Sequence, residues 1–473
     1  MSNLSELLPT GGGQNAVDFV ASGTLSSGQT VVLKADGTVE AVAGRDTELT
    51  SATQIAAAGT SQSNRHAAVY DSTNNKIVVA LFGYAYVGTI SGSSISFGSG
   101  VQYETGTVEF MALTFDSANG KVVFIYRDEG NSNYGTARIG TVSGTSISFG
   151  SHVIFESSAL TAVGGTFDSS NNKVVVFYEA ASNSYQLGAK VGTVSGTSIS
   201  FGSLVSFGAG TNTSCLRPTF DTSTNKVVLA YLSTYLRAFT GTVSGTSISF
   251  GASSTAEEVT ARTATSYPTI YDSVNNKIVV AWIDSATQYG RAAVGTISGT
   301  SISFGTPTTF LSETLAGTVR GDFDVSSGKV ILISTSATKL FYSLGTVSGT
   351  DITFETEVEV VGLTNYASID CVYDSQNEKT AINYIDTSTN AQTNLLTVGS
   401  SNSADFIGIT AEAISDTATG AVNVYGGINE AQTGLTIGAD YYVQANGSLS
   451  TTASSVKVGQ AISATTINMM DLI

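Results

Sequence analysis

Proline, cysteine and histidine are all scarce in this sequence. Its 473 residues include four Pro, two Cys and two His. Cys215 and Cys371 fall in different copies of the repeat described below, so we expect two apolar fillers and no disulfide. His66 and His152 have no second His or Cys at the spacing of a ligand pair. The sequence therefore argues against a zinc site and against a Ser-His-Asp triad.

Charge is also sparse, and the little there is favours acids. Charged side chains make up 12% of the residues and the net charge is -17, which disfavours nucleic acid and anionic membranes as partners. No run approaches the roughly 20 apolar residues of a membrane helix. Residues 1–13 lack the basic and apolar segments of a secretory signal, so we expect the chain to fold in a cytosol. We also expect no cofactor.

One unit occurs seven times along the chain. An aromatic or apolar residue precedes an Asp that opens a short polar turn, and an apolar run follows, led by Lys. Successive copies are about 50 residues apart, a period typical of propeller arrays. A second marker, Gly-Thr-Val/Ile-Ser-Gly, occurs in six of the periods. The turn acids are Asp71, Asp116, Asp168, Asp221, Asp272, Asp324 and Asp374.

Each unit has four short runs rich in β-branched and aromatic residues, which we name strands A to D. In the fifth copy they are residues 267–272, 277–284, 291–297 and 301–304. Asp and Asn residues suit a tight turn from A to B, and Ser-Gly-Thr suits one from C to D. The pattern predicts an all-β fold, a seven-bladed β-propeller of four-stranded antiparallel blades.

Antiparallel strands place the A–B and C–D turns on one face of the ring. The B–C loops and the crossovers between blades then lie on the other face. Turns of the first face are nearly uniform between copies, whereas the B–C loops, such as residues 127–134 and 284–289, vary in length and composition. Variable loops on a repeated frame usually carry recognition, so we predict that this variable-loop face is functional.

Outside the repeats, the two ends of the chain resemble each other. Residues 31–39 match residues 441–449, each as strand, Asp-Gly or Asn-Gly turn, and strand. Residues 18–20 similarly match residues 405–407. We predict a small β-module from residues 1–45 and 405–473, flanking a propeller of residues 46–404. Residues 53–56 are the preferred closing strand of blade seven, and residues 405–408 are the alternative.

The C-terminal text, from Phe406 to Asp416 and from Gly438 to Ser450, resembles a segment of structural proteins from tailed phages, especially marine ones. In those phages the segment lies near the ends of tail-fibre, tail-tip and other virion surface proteins. The resemblance covers about 70 residues, and the propeller itself lacks WD and kelch signatures. It implies a virion component that is assembled in the host cytoplasm and presents the propeller outward.

Several acids of the repeats are candidates for chemistry. The seven turn acids fit hairpin turns better than a calcium site, because no copy has the spacing of a calcium loop. Four acids stand where strand B ends: Asp128, Glu179, Asp284 and Asp386. They suggest either a carboxylate pair for glycoside hydrolysis or loop acids that pair with Arg127 and Arg291. We expect no catalysis and no metal.

Tyrosines recur where strand C begins. They are Tyr134, Tyr185, Tyr235 and Tyr289, with Tyr84 and Tyr86 in the first copy. Tyrosines beside hydroxyl-rich loops suit stacking on sugars, whereas cross-strand packing is the structural alternative. The candidate glycan-binding set comprises Tyr134, Tyr185, Tyr235, Tyr289, Arg127, Asp128, Asp284 and Arg291.

Together these features suggest a non-enzymatic phage virion protein of the tail-fibre or tail-tip type. We expect it to bind host-surface polysaccharide through the variable-loop face. Other virion proteins would contact the terminal module, and symmetry of the particle would supply several copies. A capsid-decorating or head-fibre protein is one alternative, and an extracellular glycan hydrolase is another.

Overall fold

The structure is a computed structural model that describes residues 15–34, 36–45, 47–57, 66–184, 186–209, 216–233, 235–257, 267–363, 368–444, 446–454 and 456–469. The chain divides into two compact units, residues 49–397 and residues 1–48 with 398–473. Within the described ranges there is no helix with the length and hydropathy of a membrane span. Cys215 and Tyr185 lie outside those ranges.

Seven antiparallel sheets in chain order build the larger unit, and each follows the order A-B-C-D. This confirms the all-β, seven-bladed propeller. The A strands are His66–Asp71, Val108–Asp116, Leu160–Asp168, Thr219–Asp221, Thr269–Asp272, Leu315–Asp324 and Ile369–Asp374. The B strands are Lys76–Leu81, Lys121–Asp128, Lys173–Ala180, Lys226–Leu232, Lys277–Ile283, Lys329–Ser336 and Lys379–Ile385. The C strands are Tyr84–Ser91, Tyr134–Ser143, Gln186–Ser195, Leu236–Ser244, Gly290–Ser298, Lys339–Ser348 and Asn390–Thr397.

The outer edge of each blade has one more strand than predicted. Strand D pairs with the end of strand C, and a further strand, E, pairs with the beginning of C on the same edge. The D strands are Ser94–Phe97, Ser146–Phe149, Ser198–Phe201, Ser247–Phe250, Ser301–Phe304, Asp351–Phe354 and, in blade seven, Glu48–Leu49. The E strands are Val101–Gln102, Val153–Glu156, Val205–Ala209, Ser254–Glu257, Thr308–Leu311, Val358–Gly362 and Thr53–Ala57.

A glycine separates D from E because the next blade leaves no room for a side chain. A Cβ at Gly202 would collide with the Thr246 carbonyl oxygen, in the C–D turn of the following blade. Gly98, Gly150, Gly251 and Gly305 face the next C–D turn in the same way. Only glycine tolerates such an approach of backbone to backbone, so the Ser-Ile-Ser-Phe-Gly repeat encodes the contact between blades.

Strands from the N-terminal part of the chain close the ring. Thr53–Ala57 pairs with Asn390–Thr397 of blade seven, with Ala56 opposite Ala391. The alternative, closure by residues 405–408, is wrong, because Phe406–Thr410 pairs with Thr30–Leu33 and Thr419–Val424 in the other unit. Ile55 packs with Ile77 and Val79 of blade one, so the closing strand also contributes to the interface between blade seven and blade one.

The turn acids hold the A–B hairpins together, as the sequence predicted. Asp272 Oδ1 accepts hydrogen bonds from the Val274 and Asn275 amides at 3.0 and 2.9 Å. Each of the other six makes the equivalent pair of bonds. Lys277, which follows the turn, donates to Thr296 Oγ1 of strand C at 2.8 Å. The repeated acid and lysine therefore both serve the fold.

The B strands form the middle of the core. Their apolar runs are buried on both faces, and each hydrophobic cluster joins two adjacent blades. Between blades one and two, and again between two and three, a tyrosine of strand B donates to a glutamate of the preceding blade. These bonds join Tyr126 to Glu104 and Tyr178 to Glu156, both at 3.1 Å. In blade four the equivalent tyrosine stacks on Phe239 instead.

The smaller unit contains two five-stranded sheets and a two-stranded ladder of Gly44–Arg45 with Ser400–Ser401. The first sheet contains Ala16–Val20, Thr30–Leu33, Val39–Ala41, Phe406–Thr410 and Thr419–Val424. The second contains Ile428–Asn429, Asp440–Val443, Leu449–Ser450, Lys457–Ala461 and Ile467–Met469. Strands from both parts of the chain that flank the propeller thus build this unit.

These two sheets are copies of one another. Counted along the chain, both have the strand order 1-5-4-2-3. Even their irregularities match, since a bulge follows the pair Val31 and Gly408 in the first sheet and the pair Tyr441 and Gly459 in the second. The propeller is therefore inserted between the third and fourth strands of the first copy. The match between residues 18–20 and 405–407 is wrong, because these segments form the first and fourth strands.

The two sheets stack on each other through non-equivalent faces, so the face that the first sheet buries corresponds to the outer face of the second. Val32, Val42, Phe406 and Ile409 of the first sheet pack against the second sheet. The equivalent positions of the second sheet are Tyr442, Thr452, Lys457 and Gln460, and Lys457 forms an ion pair with Asp440 at 2.8 Å. This face of the second sheet therefore offers no apolar surface on which a third copy could pack. A polar outer face ends stacked repeats in this way.

Candidate functional site

The acids at the ends of the B strands serve their own loops. Asp284 Oδ1 accepts from the Ala286 and Thr287 amides, both at 2.8 Å. Burial raises the pKa of Asp284, but the bonds from Thr287 and Ala286 outweigh it and the net pKa is lowered. Asp386 accepts from the Ser388 and Asn390 amides at 2.8 Å. These carboxylates act as turn caps.

Asp128 and Arg127 are likewise held by neighbouring groups. Asp128 Oδ1 accepts from the Asn131 amide at 3.1 Å, and burial raises the pKa of Asp128. Arg127 does not pair with that acid, because it binds Glu109 and Glu129 and lies over the Phe110 ring at 4.5 Å. Arg291 Nη2 donates to the Pro307 carbonyl oxygen at 3.0 Å. Both arginines thus fix strand edges.

The tyrosines at the beginning of strand C divide by exposure. Tyr84, Tyr235 and Tyr289 expose 40%, 36% and 37% of their surface, whereas Tyr134 and Tyr86 are half-buried. The exposed three belong to blades one, four and five, and all stand next to a B–C loop. This exposure leaves ring surface that packing does not use, as stacking on a sugar requires.

Glu179 differs from the other acids because it is completely buried. Its residue exposure is 0%, Thr161 donates to Oε2 at 3.3 Å, and Oε1 has no hydrogen-bond partner among the described residues. Burial raises its pKa to about 7, although the Thr161 bond acts in the opposite direction. The native carboxyl is therefore protonated in a pH range where the unfolded one is ionised.

We expect Glu179→Gln to remove a pH dependence of stability. Between the unfolded pKa near 4.5 and the folded pKa near 7, the native state binds more protons, so the free energy of unfolding falls as pH rises. The amide cannot ionise, so the variant should exceed the parent by about 3 kcal/mol at pH 8 and match it at pH 4. Urea unfolding at both values measures this. Glu355→Gln, at an exposed ion pair, should show no such difference, and equal pH profiles for parent and E179Q would contradict the prediction.

A second cluster lies where the A strands line the central channel of the propeller. A cavity of about 440 Å³ is bordered by residues from all seven A strands. Arg217 of blade four and Arg320 of blade six approach Asp370 of blade seven, with N to O distances of 3.9 and 4.0 Å. These three side chains occupy equivalent positions, four residues before a turn acid. The other blades have Ala67, Ala112, Gly164 and Pro268 there.

Asp370 and Asp322 bridge neighbouring A strands. Asp370 accepts from the Ala68 amide of blade one at 2.9 Å and from the Cys371 amide at 3.2 Å. Asp322 accepts from the Tyr373 amide of blade seven and the Phe323 amide, both at 2.8 Å. Innermost strands of adjacent blades do not pair, so each carboxylate supplies acceptors that a sheet partner would otherwise provide. Burial raises the pKa of Asp322 to about 6.

The histidines and the described cysteine have structural surroundings. His66 is buried beside the channel cluster, and burial lowers its pKa to about 4. Cys371 is a buried free thiol of the channel wall, and burial raises its pKa. His152 lies 3.4 Å from Glu104. No group of three or more potential metal ligands occurs in the part of the chain that the structure describes.

Sequence reasoning missed the channel cluster although a signal was present. When the copies are aligned on their turn acids, four of the seven have Ala, Gly or Pro four residues before the acid. The charged residues Arg217, Arg320 and Asp370 differ from these at the same position. Charged side chains in such a position are seldom buried without a partner. Which of the seven blades face one another across the ring is decided by the fold.

No protein family and no curated protein matches the sequence. Among solved structures, the chain is similar to the β-propeller domain of Cps50 (Swd1) from Myceliophteria thermophila. The two are 7% identical, with a TM-score of 0.49, over 74% of this chain and 99% of that one. The sheet topology of the larger unit gives a β-propeller fold.

Proposed function

We propose that the protein is a non-enzymatic component of a tailed-phage virion that binds host-surface glycan. The observation that carries the proposal is the set of exposed tyrosines, Tyr84, Tyr235 and Tyr289, beside the variable loops of a rigid ring. Sugar rings stack on such side chains, and the surrounding Ser and Thr residues supply hydrogen bonds. Because the loops carry few charged side chains, they suit a ligand that is recognised through hydrogen bonds to hydroxyl groups.

The phage assignment rests on the C-terminal resemblance. The terminal module is the part that contacts other virion proteins in this proposal, and the propeller faces the host. A tail-fibre or tail-tip position is proposed first, and a capsid-decorating or head-fibre position is the alternative, because the resembling segments lie near the ends of tail-fibre, tail-tip and other virion surface proteins. Symmetry of the particle would multiply a weak glycan contact into firm attachment.

Binding through the variable-loop face can be tested with a matched pair of variants. The double variant Tyr235→Ala and Tyr289→Ala should lose at least about tenfold in binding to an array of purified bacterial surface polysaccharides, since stacking contributes about 1 kcal/mol or more at each ring. Val274→Ala removes a comparably exposed side chain next to an A–B turn and should bind like the parent. Equal binding by all three proteins would reject this face.

The same polysaccharides separate an adhesin from a hydrolase. A rise in reducing ends during incubation would favour the hydrolase, and binding without it favours the adhesin. The caps formed by Asp128, Asp284 and Asp386 support the second outcome, because one oxygen of each carboxylate is committed to loop amides. Deleting residues 405–473 should abolish incorporation into particles, and retained incorporation would remove the attachment role.

A further inference from the structure

The channel cavity opens on the face of the A–B turns. Ser273, Val325 and Ser375, which border it, directly follow the turn acids of blades five, six and seven and are exposed. At its inner end the cavity is bordered by Arg217, Arg320 and Asp370. The cavity thus extends from a hydroxyl-bearing mouth, on the face opposite the variable loops, to two guanidinium groups.

The guanidinium of Arg217 has few acceptors around it. Its Nε and Nη2 atoms are buried with no hydrogen-bond partner among the described residues. Its Nη1 atom lies 3.9 Å from Asp370 Oδ2, which is longer than a hydrogen bond. Buried donors in that state are costly unless something else supplies acceptors.

Asp370 leaves the buried donors of Arg217 without an acceptor. Asp370 already accepts from the Ala68 and Cys371 amides, and each arginine approaches it only to about 4 Å. A second carboxylate at the inner end would accept charge-assisted hydrogen bonds that Asp370 leaves open. Asp322 also borders the cavity and would repel a doubly charged anion, so a carboxylate fits better than a phosphate.

We propose that the channel binds a small hydroxylated carboxylate, of the size and class of a uronic acid, with its carboxyl group against Arg217 and Arg320. A volume of about 440 Å³ accommodates one sugar ring and lies within the usual range of ligand pockets. Thr219 and the serines at the mouth offer hydroxyl groups to the ligand's own. This site is independent of the variable-loop face.

Calorimetric titration of the full chain with D-glucuronate tests the site, with D-glucose as the uncharged control. We expect saturable binding of one glucuronate per chain and none of glucose. Arg217→Met should fold as well as the parent, because it removes donors that have no acceptor, and it should weaken glucuronate binding at least about tenfold. Lys339→Met, which breaks an ion pair with Glu359 on an outer strand, should bind like the parent.

Absence of saturable glucuronate binding to the parent would overturn the proposal and leave a channel that holds water only. Undiminished binding by R217M would overturn it as well, because the ligand would then sit elsewhere. If R217M does not fold, Thr219→Leu decides, since it fills the cavity wall and leaves both arginines in place. Binding that survives this change contradicts a channel site, and its loss supports one.

Discussion

Replacing Asp370 with alanine should destabilise the propeller by about 4 kcal/mol. The residue is 6% exposed, and its carboxylate is the acceptor that joins blade seven to the Ala68 amide of blade one. Its loss leaves two buried amides without an acceptor and removes the negative charge between Arg217 and Arg320. Urea unfolding followed by tryptophan fluorescence measures the effect, because Trp282 is the single Trp of the chain and lies in the propeller.

Two further variants show which property of Asp370 matters. Asp370→Asn keeps one acceptor oxygen and should cost about half as much, since it removes charge but not every hydrogen bond. Glu355→Ala breaks an ion pair with Lys329 in which the glutamate side chain is about half exposed. This variant should lose less than about 1 kcal/mol of unfolding free energy. A cost for D370A no larger than that of E355A would show that the channel cluster does not stabilise the ring.

Replacing Trp282 with alanine should also cost about 4 kcal/mol. Trp282 is fully buried on strand B of blade five and packs with Leu236, Tyr267 and Ile278 at the interface with blade four. Its indole nitrogen has no hydrogen-bond partner among the described residues, so the loss comes from packing and the cavity left behind. Calorimetric melting of the full chain measures this, since the variant lacks the fluorophore.

The repeat itself supplies the control for Trp282. Blades two, three and four have Tyr126, Tyr178 and Tyr231 at the equivalent position, ten residues after the turn acid. Trp282→Tyr should therefore cost less than half of what alanine costs, because this frame accommodates a tyrosine there. Equal losses for the two variants would mean that the interface between blades four and five does not depend on the volume of this side chain.

Most of the propeller was predictable because its information is local and repeated. Asp272 and its six counterparts make hairpins from a few neighbouring residues, and seven such signals at one period define the blade count. The division of the outer edge into strands D and E was missed. Gly202 looks like part of a turn in the sequence, and only the approach of Thr246 from the next blade explains it.

The candidate site was less predictable from sequence. Position in the repeat placed Asp128, Asp284, Tyr235 and Tyr289 at the ends of strands B and C that meet the B–C loops, since strand direction decides that. The partners of Arg127 were not predictable, because Glu109 belongs to a different strand and is brought close by a bulge. Exposure of Tyr235 and Tyr289, against half-burial of Tyr134, depends on loops of different lengths that pack differently.

The sequence by itself determined the class of fold, the number of blades, the turn chemistry and the N-terminal origin of the closing strand. Each of these depends on contacts between residues close in the chain or on the register of a repeat. Tertiary structure alone decided that Arg217, Arg320 and Asp370 meet, because they are far apart in the chain and only closure of the ring brings them to one level of the channel. It also decided that the two sheets of the smaller unit are stacked copies, since the match of residues 31–39 with 441–449 covers two strands of each sheet and the rest of the likeness lies in strand order and pairing register.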